Sequence, residues 1–97
     1  MRLIIHPRVR RDVRGILDWY DARSDEAGDR FHAELMDALD AVKKFPAHYP
    51  FIGQFYRRYT FKHFPYHLVF DVMGNVVRVL VVRHHKRHPD YGLKRKW

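Results

Sequence analysis

The sequence predicts an α+β fold of order β-α-α-β-β-β, with a helical hairpin packed on one face of an antiparallel-rich sheet. Two neighbouring segments in the first half place apolar residues at helical spacing, and three segments in the second half alternate or run apolar as strands do. With 97 residues, 46% of them apolar, the chain supplies one hydrophobic core. We therefore expect residues 1–97 to form a single domain.

The first strand and the first helix are predicted on either side of Pro7. Residues 2–6 form a short apolar, β-branched run that Pro7 ends, and Pro7 itself suits the first turn of a helix. The helix that follows carries one apolar stripe, made of Val9, Val13, Ile16, Leu17 and Tyr20. Charged residues occupy the opposite side of this helix.

Ser24 marks the start of a second helix. Its side chain suits the N-cap position, and Asp25 and Glu26 follow in the first turn, where the helix dipole favours negative charge. The apolar stripe of this helix consists of Ala27, Phe31, Leu35, Ala38, Leu39, Val42 and Phe45. Pro46 ends it. Because a short turn joins the two helices, they form a hairpin that must bury both stripes against another element.

Three strands are predicted in the second half. The first covers residues 55–61. One side of this strand carries Phe55, Tyr59 and Phe61, and the other side carries Arg58, Thr60 and Lys62. Residues 66–72 alternate in the same way. A Gly-Asn turn then leads into residues 76–82, whose continuous apolar character predicts a strand covered on both faces.

This alternation predicts a basic site on the sheet. If the apolar sides of the strands face the helices, the other face carries Arg58, Thr60, Lys62 and His67. The last strand then delivers further polar side chains to the edge of that face, namely His84, His85, Lys86 and Arg87. The site is therefore assembled from segments that lie apart in the sequence.

The charge of the chain is concentrated in its second part. Residues 57–97 carry ten basic side chains against two acidic ones, so the whole net charge of +8 lies there. Such asymmetry indicates a surface for a polyanion, which could be RNA, DNA or an acidic protein. A solvated basic surface without a specific partner is the alternative.

Several classes of function are disfavoured. The chain has no cysteine and no Gly-rich phosphate loop, and its His84–His88 spacing is only a weak metal signal because the segment leaves a strand. We therefore predict neither a metal nor a cofactor. No apolar run is long enough to span a bilayer, and we expect a soluble, cytoplasmic protein.

Two interpretations of the basic site remain open. A metal-independent RNA endonuclease needs proton carriers and cations at the scissile phosphate. The candidate residues are His67 and His84 for proton transfer, Arg58, Lys62, Arg83 and Arg87 for the phosphate, and Tyr91 for stacking on a base. In the other interpretation, the histidines pack at a strand end and the cations maintain solubility or hold an acidic partner.

Four segments together resemble the RelE/ParE superfamily of bacterial type II toxins. They are HPRVRRDVRGILDWY (residues 6–20), EAGDRF (26–31), FPYHLVF (64–70) and VRVLVVRHHKR (77–87). Their order and spacing agree with the β-α-α-β-β-β pattern derived above. The resemblance implies a growth-arresting toxin that is neutralised by a cognate antitoxin protein, and the two form a hetero-oligomer.

The resemblance also implies two possible targets. ParE-like members inhibit DNA gyrase, and the helical hairpin and the His-x-x-Arg of residues 84–87 are more similar to that branch. RelE-like members cleave ribosome-bound mRNA, but the arginine that they carry in a Tyr-Arg-Leu-Val-Tyr stretch is here His67. Arg58, Lys62 and Arg87 do match basic positions of RelE-like toxins.

From this resemblance we expect ParE-like inhibition of gyrase, with mRNA cleavage and a non-catalytic basic binding module as alternatives. If the protein is a nuclease, the expected catalytic residues are His67, His84, Arg87 and Tyr91. The expected target-binding or RNA-binding residues are Arg58, Lys62, Arg83, His85 and Lys86. We expect the antitoxin to cover the basic face.

Overall fold

A computed structural model describes residues 1–97. Two helices pack against a five-stranded mixed sheet, which confirms the predicted fold class. The elements in chain order are β1 (Arg2–Ile5), α1 (Val9–Asp21), α2 (Asp25–Lys44), β2 (Phe51–Ile52), β3 (Tyr56–Thr60), β4 (Tyr66–Met73) and β5 (Val76–His84). The two-residue strand β2 is additional to the four predicted strands. None of the helices combines the length and the apolar character needed to cross a membrane.

The sheet has the strand order β1-β5-β4-β3-β2. β1 runs parallel to β5, and every other pair is antiparallel. β5 is buried along most of its length, with Val77, Val79 and Val81 fully inaccessible, so the prediction of a strand covered on both faces is confirmed. Its inner face packs against the helices, and the outer face is the one turned away from them.

The start and end of α2 follow the predicted capping signals. The Ser24 hydroxyl accepts a hydrogen bond from the Ala27 N–H at 3.3 Å, and two acidic residues follow in the first turn. The helix buries Phe31, which lies among four other rings, those of Tyr20, Phe61, Phe64 and Tyr66. This aromatic cluster joins both helices to β4 and to the end of β3.

Phe45, which we had assigned to the apolar stripe of the second helix, and Phe55, assigned to the apolar side of a strand, are both exposed. Phe45 follows the last residue of α2 and turns outward because Pro46 begins a new 3₁₀ turn, so its ring lies against His48 at a centroid distance of 5.1 Å. Phe55 is 74% exposed, because β3 begins one residue later and a turn at Gly53 with φ of +69° precedes it. The predictions for these two residues were wrong.

The C-terminal segment, residues 85–97, folds back over the outer face of the sheet. Gly92 lies against the Val81 side chain, and the Leu93 carbonyl accepts a hydrogen bond from the Tyr56 hydroxyl at 3.5 Å. The Trp97 ring contacts His6 at 5.0 Å, and the His6 ring donates from Nε2 to the Lys96 carbonyl at 2.8 Å. The outer side of β5 is therefore covered by the chain's own terminus.

An ion pair closes the edge of β5 beyond the end of β1. Strand β1 ends opposite Val79, and Leu80 then forms the extra residue of a β-bulge. The carboxylate of Asp12 on α1 accepts from the Val82 N–H at 3.1 Å, and Arg95 donates to the Leu80 carbonyl at the same distance. Asp12 and Arg95 form two 2.7 Å hydrogen bonds with each other, and their side chains are only 4% and 8% exposed.

The first prediction concerns this buried ion pair. The variant Asp12→Asn leaves the Arg95 guanidinium buried without a counter-charge, and we expect it to lower the free energy of unfolding by about 3 kcal/mol or more. The exposed pair Glu26–Arg30 is the control, and Glu26→Gln should cost less than about 1 kcal/mol. Urea denaturation measures both. Equal losses in the two variants would contradict a structural role for the buried pair.

The second prediction tests the close contact of the C-terminal segment with the sheet. A Cβ atom at Gly92 would lie 2.6 Å from the Val81 Cγ2, and the φ angle of Gly92 is +81°. Gly74 also has a positive φ, +60°, but nothing lies within 4 Å of its Cβ position. We expect Gly74→Ala to cost about 1 kcal/mol from backbone strain, and Gly92→Ala to cost clearly more. If thermal unfolding showed that Gly74→Ala destabilises the protein as much as Gly92→Ala or more, the close packing of Gly92 on Val81 would be ruled out.

Candidate functional site

Five of the predicted site residues line one groove on the outer face of the sheet. This groove, of about 530 Å³, is called the outer groove, and its basic and imidazole side chains are Arg58, His67, Arg83, His85 and Arg87. Strand pairing brings them together, because His67 is opposite both Thr60 and Arg83 in the register. Asp90 is the single carboxylate at the groove.

A chain of two hydrogen bonds determines the protonation of the histidines in this groove. Arg83 donates from Nε to the His67 Nε2 at 2.8 Å, and the His67 Nδ1 lies 2.9 Å from the His85 Nδ1. Because the Arg83 nitrogen always carries its hydrogen, the His67 Nε2 must be the acceptor. His67 therefore carries its proton on Nδ1 and donates it to the His85 Nδ1. The two rings are nearly coplanar, with an interplanar angle of 10°.

This arrangement keeps His67 neutral. Burial, followed by the positive charges of Arg83 and of neighbouring side chains, lowers the pKa of His67 from 6.5 to about 4. Partial burial and the neighbouring His84 and Arg58 also lower the pKa of His85. At neutral pH neither ring supplies a positive charge, and both His67 ring nitrogens already have partners.

Arg83 holds the C-terminal segment against the sheet. Its side chain is buried, and its Nη1 donates to the carbonyls of Pro89 at 2.6 Å and Tyr91 at 2.9 Å. Burial, and next the charge of Arg58, lower the pKa of Arg83. Because its Nε donates to His67 and its Nη1 to two backbone carbonyls, Arg83 has a structural role in the groove.

Two further candidate residues, His84 and Tyr91, line a second groove, which lies between α1 and the end of the β4–β5 hairpin. This groove, of about 360 Å³, is called the α1 cleft, and the side chains that we single out in it are Arg11, Trp19, Tyr66, His84, Arg87 and Tyr91. The prediction that His84 lies at the edge of the outer face was wrong, because strand alternation puts it on the opposite face from Arg83. There it contacts Tyr66 edge-to-face at 5.1 Å. The Arg87 guanidinium lies over the Tyr91 ring, 4.5 Å from its centroid. Arg87 lines both grooves.

Two predicted binding residues lie outside both grooves. Lys86 is exposed in the turn after β5, and its N–H donates to the His84 Nδ1 at 3.0 Å. The placement of Lys62 on the outer face was wrong. β3 ends at Thr60, and the backbone N–H groups of Lys62 and His63 both donate to the carboxylate of Glu34 on α2. Lys62 therefore lies in a pocket beside α2, on the helical side of the sheet.

The structure adds two residues of α1 that the sequence analysis had not selected. Arg11 and Trp19 line the α1 cleft, and Trp19 is 51% exposed with the Arg23 guanidinium 3.7 Å from its ring centroid. Both lie off the apolar stripe of α1. A tryptophan on the polar side of an amphipathic helix was the available signal for this surface.

The third prediction concerns the titration of His67. Its ring signals in NMR should titrate near pH 4, and His67→Gln should remove them. Because the unfolded chain binds this proton near pH 6.5 and the folded chain only near 4, the wild type should lose about 3 kcal/mol of stability as the pH falls through this window. This contribution of His67 to the free energy of unfolding is fully present above pH 6.5, and its pH dependence should be absent from His67→Gln. A His67 midpoint near 6.5 would contradict the hydrogen-bond assignment.

Comparisons with known proteins agree with this fold. One solved structure, described as "Chromosomal ParDE TA system from P. aeruginosa", superposes with a TM-score of 0.76. The two chains are 17% identical, and the match covers 87% of this chain and 95% of the other. No curated protein sequence matches. The model of the family described as "ParE toxin of type II toxin-antitoxin system, parDE" matches residues 3–89. The chain therefore belongs to the ParE toxin family of type II toxin-antitoxin systems.

Proposed function

We propose that this protein arrests bacterial growth by inhibiting DNA gyrase in the cytoplasm, as a binding inhibitor without catalysis. Its membership of the ParE toxin family supports the toxin role. The observation that carries the choice of mechanism is the state of His67. This residue occupies the position at which RelE-like toxins have a functional arginine, and here it is a buried, neutral and doubly hydrogen-bonded imidazole.

The outer groove is poorly suited to RNA cleavage. Metal-independent cleavage needs a base at the 2′-hydroxyl, an acid at the leaving oxygen and cations at the phosphate. His67 has no free lone pair to accept a proton, since Arg83 donates to its Nε2. The Nε and Nη1 donors of Arg83 are bonded to the protein itself. Non-covalent inhibition of a protein target requires none of these groups.

The accessible cations form the proposed target surface. Arg87 stands where the outer groove meets the α1 cleft, with Arg11 and Trp19 on one side and Arg58 on the other. Exposed arginine and tryptophan side chains are the residue types that most often dominate protein interfaces. We therefore place the gyrase contact at the α1 cleft around Arg87.

We further propose that the antitoxin covers the basic outer face. The second part of the chain carries the entire net charge of +8, which would attract an acidic partner segment that becomes ordered on binding. Screening should make this association salt-sensitive. The similarity to a ParDE assembly supports a partner of this kind.

Cleavage of ribosome-bound mRNA is the second candidate. It is favoured by one observation, the proximity of His84, Arg87 and Tyr91 to Arg11 in the α1 cleft. In that mechanism His84 would carry a proton, the arginines would bind phosphate and Tyr91 would stack on a base. A non-catalytic binding module is the third candidate, and it predicts no growth arrest.

The fourth prediction separates these candidates. Expression in a bacterial host without an antitoxin should arrest growth with intact mRNA and an induced DNA-damage response, and the purified protein should inhibit gyrase supercoiling. Arg87→Gln should weaken inhibition by about tenfold, whereas Arg14→Gln, an exposed α1 control with the same charge change, should change it less than about twofold.

Two results would contradict the gyrase proposal, and a third would contradict the contact at Arg87. Fragmented mRNA that becomes intact in His84→Gln or Arg87→Gln would identify the nuclease. If soluble, folded wild-type protein caused no growth arrest, the non-catalytic binding module would be the one candidate function that remained. Equal effects of Arg87→Gln and Arg14→Gln would remove Arg87 from the proposed contact.

A further inference from the structure

Arg58 is exceptional among the partly buried arginines of this fold. Its Nε is the one buried side-chain nitrogen or oxygen of the molecule without a hydrogen-bond partner. The guanidinium of Arg78 makes two hydrogen bonds to Asp71, that of Arg95 makes two to Asp12, and that of Arg83 bonds His67 and two carbonyls. A buried N–H without a partner costs free energy, so this donor is poised for an external acceptor.

The charges around Arg58 favour an anion as that acceptor. Arg58 lies close enough to Arg83, His67 and His85 to lower the pKa of each. Asp90 is the single carboxylate of the groove, and its side chain is 68% exposed without an ion pair to Arg58. The outer groove therefore holds excess positive charge that the protein leaves uncompensated.

Apolar side chains stand around this guanidinium. The outer groove is also lined by Ile52, Phe55 and Leu93, and Phe55 is 74% exposed. A recessed guanidinium bordered by exposed apolar surface is complementary to an acidic side chain that is followed by apolar ones.

We propose that the outer groove binds a carboxylate of an acidic, partly apolar peptide segment, with Arg58 as its anchor. The Nε–H and one Nη–H of the guanidinium would donate to the two carboxylate oxygens, while apolar side chains of the segment pack on Phe55. This proposal rests on the proposed function, because the antitoxin is the partner expected to supply the segment.

The groove suits a peptide better than a nucleic acid strand. A phosphodiester backbone presents closely spaced charges and needs several accessible cations in a row. At neutral pH His67 is neutral, and the Nε and Nη1 donors of Arg83 are already bonded within the protein. Arg58 and Arg87 remain as the basic side chains facing the groove, and the Arg58 Nε is recessed.

An unpartnered buried donor also predicts opposite effects on stability and on binding. Replacing Arg58 by methionine removes the unsatisfied N–H while keeping an apolar side chain that can fill the groove. The melting temperature of Arg58→Met should therefore be equal to or higher than that of the wild type. Its affinity for an acidic segment should fall by about tenfold or more. A purely structural arginine would lower the melting temperature when replaced.

The fifth prediction uses a defined probe. A short synthetic peptide of alternating glutamate and leucine is titrated into the full chain, with the glutamine analogue of that peptide and an oligouridylate of equal charge as comparisons. We expect the glutamate peptide to bind most tightly and to shift the Arg58 Nε–H signal in the NMR spectrum. That signal is identified as the one that is lost in Arg58→Met. Arg14→Gln, with the same loss of charge on exposed α1, should change the affinity less than about twofold.

Each other outcome would overturn the proposal. Equal weakening by Arg58→Met and Arg14→Gln would show general charge attraction, and tighter binding of the oligouridylate would identify a nucleic acid site. A lower melting temperature of Arg58→Met would show a structural arginine, and no binding of the glutamate peptide at about 1 mM would remove the site. Gyrase is absent from this assay, so failure of the gyrase proposal would leave these results unchanged.

Discussion

The ion pair between Asp12 and Arg95 completes an edge of the sheet that β1 is too short to cover. Asp12 accepts from one backbone N–H of β5 and Arg95 donates to one of its carbonyls, so the pair replaces the missing strand at this point. It also ties the C-terminal segment to α1. That segment carries the carbonyls that bind Arg83, and Arg83 in turn sets the tautomer of His67. The geometry of the outer groove therefore depends on a contact at the edge of the sheet.

This dependence divides the basic side chains into two groups. Arg78, Arg83 and Arg95 act inside the fold, where their donors meet carboxylates, carbonyls or an imidazole. Arg58 and Arg87 face the grooves and are available to a partner. The net charge alone overstates the binding surface, because a buried guanidinium with satisfied donors attracts a polyanion far less than an exposed one.

The C-terminal segment extends beyond the part of the chain that matches the ParE toxin family. The ParE toxin match covers residues 3–89, whereas Arg95 and Trp97 lie beyond it. These two residues contact Asp12, His6 and Arg78, which belong to the matched part. Residues 85–97 thus cover the outer face of the sheet and shape the outer groove.

The sequence alone determined the features that depend on neighbouring residues. Helix periodicity, the Ser24 cap and the alternation in the strands are local properties, and they were sufficient for the order of elements and for the inner core. Tertiary structure decided the position of Lys62, because the backbone N–H groups of Lys62 and His63 donate to Glu34 on a distant helix. Tertiary structure also decided the neutral state of His67, because Arg83 donates to the His67 Nε2. It also decided the fold of the C-terminal segment, since the Asp12–Arg95 contact joins residues 83 positions apart. Long-range hydrogen bonds of this kind leave no periodic trace in the sequence.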